Sequence, residues 1–93
     1  MKQYTWDEKK NQKLIQERGV SFEDVVQAIA EEHLLDITTH HNTGKYPGQY
    51  QLVVQMVDYV YLVPYEELDD KIRLITIIPS RKARKKYSPG GES

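Results

Sequence analysis

Residues 71–87, KIRLITIIPSRKARKKY, join an apolar run to a dense cationic cluster. The apolar run has the composition of a β-strand, in which alternate side chains point to opposite faces, so Arg73 and Ile77 are predicted to share a face. Pro79 has no amide proton to donate to a neighbouring strand, so strand pairing should end there. Ser80 can then cap a short final helix. The stretch therefore predicts a last strand that leads directly into a basic helix.

This stretch also divides the charge of the chain. It holds seven Lys or Arg side chains and no acid, whereas residues 1–70 carry six basic and thirteen acidic side chains. The formal net charge of -1 therefore conceals an acidic body and a basic end. A split of this size within one small chain indicates that the basic end meets a polyanion, most often a nucleic acid.

The composition predicts one small domain. With 93 residues and 39% hydrophobic content, the chain can bury a single core. We expect this domain to span residues 1–87 and the segment SPGGES, residues 88–93, to form a flexible tail. The absence of cysteine excludes disulfides and thiolate metal sites, as is usual in a reducing cytosol. There is no apolar signal core and no run of membrane-spanning length, so we expect a cytoplasmic protein with no membrane partner.

Two helices are predicted before the strands. Asp7 stands at the N-cap and Gly19 at the C-terminal end of the first helix. Ser21 opens the second helix with a variant of the capping box, and this helix should end near His33. Its apolar residues recur at helical spacing and are Phe22, Val25, Val26 and Ile29. A continuous apolar face of this kind is expected to cover one side of a sheet.

Most of the remaining chain has the composition of β-strands. The segment 2–6 is compatible with an edge strand and 34–38 with a brief strand, and a polar loop follows over 40–49. Residues 50–57 and 59–64 carry apolar side chains on both faces, so these two strands should be central and covered on both sides. The sequence therefore predicts an α+β fold. In it, an N-terminal strand and two helices pack on an antiparallel β-meander, which a short C-terminal helix follows.

The basic helix predicted from Ser80 to Tyr87 is the candidate functional site. One interpretation is a solvated, frayed C-terminus. The other is a phosphate site in which Arg81 and Lys82 meet an anion at the start of the helix. Arg73 would add a second cation if the last turn folds back. Further candidate RNA contacts on the same helix are Arg84, Lys85 and Lys86.

Cleavage of RNA without a metal ion needs three kinds of assistance. The 2′-hydroxyl must be activated, charge that builds on the phosphate must be neutralised, and the leaving 5′-oxygen must gain a proton. Arg and Lys side chains can supply the second need. Tyr87, or His40 or His41 if their loop reaches, could transfer protons. Composition alone does not assign these roles.

A metal site is the weaker interpretation of the histidines. His33, Asp36, His40 and His41 all offer ligand atoms within a short stretch. Their spacing, however, matches no established zinc motif. We therefore predict no metal site and no other cofactor.

Two sets of residues at opposite ends of the chain form a recognisable pattern. The N-terminal set is Tyr4, Trp6, Asp7, Lys10, Asn11, Gly19, Val20, Ser21 and Phe22. The C-terminal set is Arg73, Arg81, Lys82, Ala83 and Tyr87. In this order they resemble the BrnT-type toxins of bacterial type II toxin–antitoxin systems, small ribonucleases with a fold similar to that of the RelE toxins.

The resemblance implies a toxin that cleaves RNA and is held inactive by a cognate antitoxin, often of ribbon-helix-helix type. The joint complex would repress its own operon, so operator DNA is a partner only through that complex. Carried over by position, Arg73 and Arg81 look like the cationic active-site residues of the family. Lys82 and Tyr87 are further catalytic candidates.

The chain departs from the family pattern at two places. Arg18 stands where the family usually has a histidine, and Pro79 with Ser80 replaces the usual Ser-Ala pair before the arginine. Two functions of other classes therefore stay open. One is a non-catalytic nucleic-acid-binding subunit whose basic end only contacts phosphates. The other is a protein-interaction domain whose basic end pairs with an acidic partner segment.

Overall fold

The computed structural model describes residues 3–39, 49–56 and 59–87. Its elements, in chain order, are β1 (Gln3–Thr5), α1 (Glu8–Arg18), α2 (Phe22–Ala30), β2 (Leu34–Thr39), β3 (Gln49–Met56), β4 (Tyr59–Glu67), β5 (Lys71–Leu74), β6 (Ile78–Pro79) and α3 (Arg81–Tyr87). The strand order is β1-β5-β4-β3-β2, and β6 pairs with another part of β4. β1 runs parallel to β5, and the other pairs are antiparallel. The predicted α+β fold with its N-terminal edge strand is confirmed.

Local capping bonds determine where the first two helices begin. The Asp7 carboxylate accepts a hydrogen bond from the Lys9 amide at 3.0 Å. Ser21 and Asp24 make both bonds of a capping box, at 3.1 and 3.0 Å. Gly19 ends α1 with a φ of 70°, as predicted. Each of these bonds satisfies a backbone amide that has no partner within its helix.

The second helix is shorter than predicted. It ends at Ala30, three residues before the expected end near His33. Glu32 takes a left-handed backbone conformation with a φ of 66°, and the His33 amide donates to the Ala28 carbonyl at 2.8 Å. The chain therefore turns into β2 at this point instead of continuing the helix.

Buried Asn11 joins the two helices. Its side-chain oxygen accepts from the Phe22 amide at 2.7 Å, and its side-chain nitrogen donates to Glu23 at 2.8 Å. The Asn11 side chain is 1% exposed. The Trp6 ring stacks on Phe22 with centroids 5.6 Å apart. These contacts fix the start of α2 against α1 and against Trp6, which follows β1.

The central sheet is covered on both faces. We call the face packed against α1 and α2 the helical face; its core comprises Leu14, Val20, Phe22, Val25, Ala28, Leu52, Val54, Met56, Val63, Tyr65, Leu74 and Ile77. The opposite face, which we call the α3 face, has a smaller core of Val53, Val60 and Ala83. The prediction that the central strands are covered on both sides is confirmed. No helix in the described ranges is long and apolar enough to cross a membrane.

The last strand is broken, which corrects the prediction of one continuous strand. β5 pairs Leu74 with Tyr65, whereas β6 pairs Ile78 with Leu62, so the register shifts by one residue between them. One extra residue of this kind is a β-bulge, and it reverses the alternation of faces. Ile77 is consequently buried on the helical face instead of sharing a face with Arg73. The pairing also extends one residue past Pro79.

Several sequence predictions lie outside the described ranges. The proposed tail over 88–93 and most of the polar loop, including His40 and His41, belong to that part. The remaining predicted strands are confirmed, with ends that differ by up to three residues, since β4 continues to Glu67.

Replacement of Asn11 by alanine should lower the free energy of unfolding by about 1–3 kcal/mol, because the buried Phe22 amide loses its acceptor. Urea denaturation measures this change. The control Gln16→Ala, at an exposed position of the same helix, should change stability by less than about 0.5 kcal/mol. Equal effects of the two substitutions would contradict a structural role for the Asn11 bonds.

Candidate nucleic-acid interface

Two contacts place the short helix α3 on the sheet. The Ser80 amide donates to the Val60 carbonyl of β4 at 3.0 Å. The Ser80 hydroxyl accepts from the Ala83 amide at 3.0 Å, which confirms the predicted cap. Ala83 is buried against the α3 face, and its small side chain allows the helix to approach the strands closely. The position of α3 is therefore determined by a backbone ladder, a cap and one buried residue.

The basic side chains of α3 lie outside this buried contact. Those that are exposed are Arg81, Lys82, Arg84, Lys85 and Lys86. Arg84 lies over the Tyr59 ring, 5.3 Å from its centroid. Within the described ranges, the side chains of Arg81, Lys82 and Lys85 make no hydrogen bond or ion pair. The helix thus presents several positive charges that no described acidic side chain neutralises.

Arg73 has a different environment. It lies on β5 directly opposite Glu66 of β4, and its guanidinium is 3.8 Å from the Glu66 carboxylate. A cleft of about 320 Å³ adjoins the pair and is lined by Asp7, Lys10, Glu66, Arg73, Leu74 and Ile75. The Arg73 side chain is 53% exposed, so this ion pair is solvated and contributes little to stability. Arg73 remains accessible to a ligand.

The segment that leads from β6 into α3 does not fold back, so the backbone of Arg81 does not come next to that of Arg73. Arg73 pairs with Glu66, while the residue that precedes α3 bonds to Val60. These two positions on β4 are six residues apart, which is about 20 Å at 3.3 Å per residue. Alternation along β4 places Glu66 and Val60 on the same side of the sheet. Arg73 and α3 therefore share one face but lie at opposite ends of it.

The structure describes only some of the residues that were predicted to transfer protons or bind metal. Tyr87 ends α3, and the described features of that residue are those of its backbone. His33 is exposed and lines a cleft of about 240 Å³ beside α2. In the ranges that the structure describes, no three His, Asp or Glu side chains converge as metal ligands. His40 and His41 lie outside those ranges.

Burial raises the pKa of the Tyr65 phenol, and nearby Glu67 and Tyr50 add to this effect. Tyr65 packs against Tyr50 on the helical face, with ring centroids 5.7 Å apart. A raised pKa favours the neutral phenol. This tyrosine therefore belongs to the core, on the side of the sheet away from α3.

One hydrogen bond to the segment that precedes α3 could not be predicted from the sequence. Arg18 donates a hydrogen bond from its guanidinium to the Ile77 carbonyl at 2.9 Å, across 59 positions of the chain. Its position in the last turn of α1 indicates only a favourable interaction with the helix dipole. The partner could not be predicted, because it depends on the bulge between β5 and β6.

Comparison with known proteins identifies the family. No individual protein of curated function matches the chain significantly. A family model described as "Ribonuclease toxin, BrnT, of type II toxin-antitoxin system" matches residues 6–86. The match extends over most of the chain and includes β5 and nearly all of α3. The chain therefore belongs to the BrnT family of ribonuclease toxins of type II toxin–antitoxin systems.

Proposed function

We propose that the protein is a metal-independent endoribonuclease toxin that arrests growth and is neutralised by a cognate antitoxin. Family membership supports the ribonuclease class. The observation that carries the rest is the exposed cluster of cations on α3, in which Arg81 and Lys82 lack an ion-pair partner among the described residues. Cations on a helix that is anchored to the sheet, and that no described acidic side chain neutralises, are suited to stabilise charge on a reacting phosphate.

The proposed reaction uses the RNA itself as the nucleophile. The 2′-hydroxyl oxygen attacks the adjacent phosphorus, the bond from phosphorus to the 5′-oxygen breaks, and the products are a 2′,3′-cyclic phosphate and a 5′-hydroxyl. The proton of the 2′-hydroxyl passes to solvent water, and the leaving 5′-oxygen takes a proton from the Tyr87 phenol, which regains one from solvent. Arg81 and Lys82 neutralise the charge that builds on the phosphate oxygens. Tyr87 is the proposed proton-transfer group.

The remaining cations are proposed to bind the RNA on either side of the reacting phosphate. Arg84, Lys85 and Lys86 extend the positive surface along α3. The backbone of Arg73 is about 20 Å from the start of α3, so we propose that its side chain contacts a different phosphate from the one that reacts. The structure thus supports a binding role for Arg73 better than a shared role at the scissile bond.

The same positive surface supports a proposal for the antitoxin. A partner segment that covers α3 would need acidic side chains to pair with Arg81 and Lys82, and it would exclude RNA from them. We propose a ribbon-helix-helix antitoxin that supplies this segment and contacts operator DNA in the joint complex. Bound antitoxin and bound RNA are then mutually exclusive.

Replacement of Arg81 by alanine should reduce cleavage of naked RNA in EDTA by about 10²–10³-fold, since a group that stabilises the reacting phosphate is lost. Gel analysis of end-labelled RNA measures the rate, and growth arrest on expression is the parallel test in cells. Lys13→Ala, which removes an exposed cation of α1, is the matched control. Full activity of the Arg81 variant would remove Arg81 from the site, and loss of all wild-type cleavage in EDTA would contradict metal independence.

Replacement of Arg73 by alanine should slow cleavage of a long RNA but not of a dinucleotide. A dinucleotide has a single phosphodiester, and we propose that this group binds at α3, whereas the backbone of Arg73 is about 20 Å from the start of that helix and its side chain would contact a different phosphate. For the long RNA we expect KM to rise more than kcat falls. A matching loss on the dinucleotide would instead place Arg73 at the scissile phosphate.

A further inference from the structure

The guanidinium of Arg18 lies beside the bulge that precedes α3, where it bonds to the Ile77 carbonyl. On one side of the bulge the Ile75 amide donates to the Pro64 carbonyl, and on the other the Ser80 amide donates to the Val60 carbonyl. The shifted register interrupts the ladder between these bonds, and the Ile77 carbonyl accepts from Arg18 instead. This bond gives the carbonyl of the buried Ile77 a partner.

The hydrogen bond anchors Arg18 without neutralising it. Its acceptor is an uncharged carbonyl, whereas Arg73 has the Glu66 carboxylate as its partner. A guanidinium carries several coplanar N–H donors and only one is used by Ile77. The other donors of Arg18 have no partner within the ranges that the structure describes, and the residue is exposed. The hydrogen bond to Ile77 therefore fixes the position of Arg18, and its remaining N–H groups are available to a ligand.

The anchor point lies close to the proposed reaction centre. Ile77 is four residues before Arg81, so their Cα atoms are at most about 14 Å apart. The long side chains of Arg18 and Arg81 can reach neighbouring phosphates across this span. Because Arg18 is already held by its bond to Ile77, less conformational entropy is lost when it binds an anion.

We propose that Arg18 binds a backbone phosphate of the RNA held at α3, next to the phosphate that Arg81 contacts. The inference rests on the proposed function, since it assigns a second phosphate position to the same site. Arg18 reads the phosphodiester backbone and not the bases, so its contribution is independent of RNA sequence. The other residues of the proposed site lie on β5 and α3, so Arg18 would be the contribution of α1 to RNA binding.

The test is the salt dependence of binding to an RNA that cannot react. A single-stranded 2′-O-methylated RNA of about 12 nucleotides has no free 2′-hydroxyl, so wild-type protein can be titrated without cleavage. Arg18→Gln should weaken binding about 10-fold at low salt. It should also reduce the slope of log K against log salt by about 0.7, the value for one phosphate contact to a single strand.

Two further variants make the test specific. Arg18→Lys keeps the charge and should keep the slope. Lys13→Gln removes one charge from the same helix, about 140° around its axis from Arg18, and should leave the slope unchanged. A merely structural role for Arg18 would weaken binding in the Gln variant without changing the slope, and that result would overturn the proposal.

A measurement on the wild-type chain covers the case in which the Gln variant does not fold. Phenylglyoxal modifies accessible guanidinium groups, and mass spectrometry locates the adducts. Bound 2′-O-methylated RNA should protect Arg18 from modification; continued reaction of Arg18 under saturating RNA would refute the contact. If wild-type protein cleaves RNA but Arg18 fails these tests, only this inference falls. If wild-type protein neither binds nor cleaves RNA, the proposed function falls with it.

Discussion

The one-residue register shift between β5 and β6 determines where the basic helix lies. Both strands pair with the same side of β4, but the extra residue lets Leu74 and Ile77 both enter the core of the helical face. The chain then leaves the ladder at Ser80 and places Ala83 on the opposite face. Without the shift, regular alternation would direct Thr76 and Ile78, instead of Ile77, to the face on which Leu74 is buried. The bulge thus couples packing to the position of the charges.

Sequence signals predicted most of the elements because their causes are local. Asp7, Gly19 and Ser21 act within a turn of their own positions, so the caps and the first helix could be predicted. Apart from the early end of α2, which has a local cause at Glu32, the failures depend on tertiary partners. The alternation of side chains along a strand did not predict that Ile77 is buried, since a bulge has no reliable sequence signature. The hydrogen bond from Arg18 to Ile77 depends on the same bulge. The separation of Arg73 from α3 likewise follows from register alone.

The exposed cations of α3 bear on how the proposed antitoxin would act. Like charges crowded on a short helix repel one another, and on α3 the described residues offer Arg81 and Lys82 no acidic partner. A polyanion that binds there relieves this repulsion, whether it is RNA or an acidic antitoxin segment. Both ligands would use the same cations, so occupation by one excludes the other. In this account neutralisation is simple competition and needs no conformational change in the toxin.

The most direct test of the central claim, that RNA binds at α3 and Arg18, is to map the bound RNA by backbone amide chemical shifts. Isotope-labelled protein would be titrated with an uncleavable 2′-O-methylated RNA. The account predicts the largest shifts over residues 80–86, at Arg73 and around Arg18. Shifts centred on the outer surface of α2, with those of α3 and Arg18 unchanged, would contradict it, because the RNA would then be bound away from the proposed site.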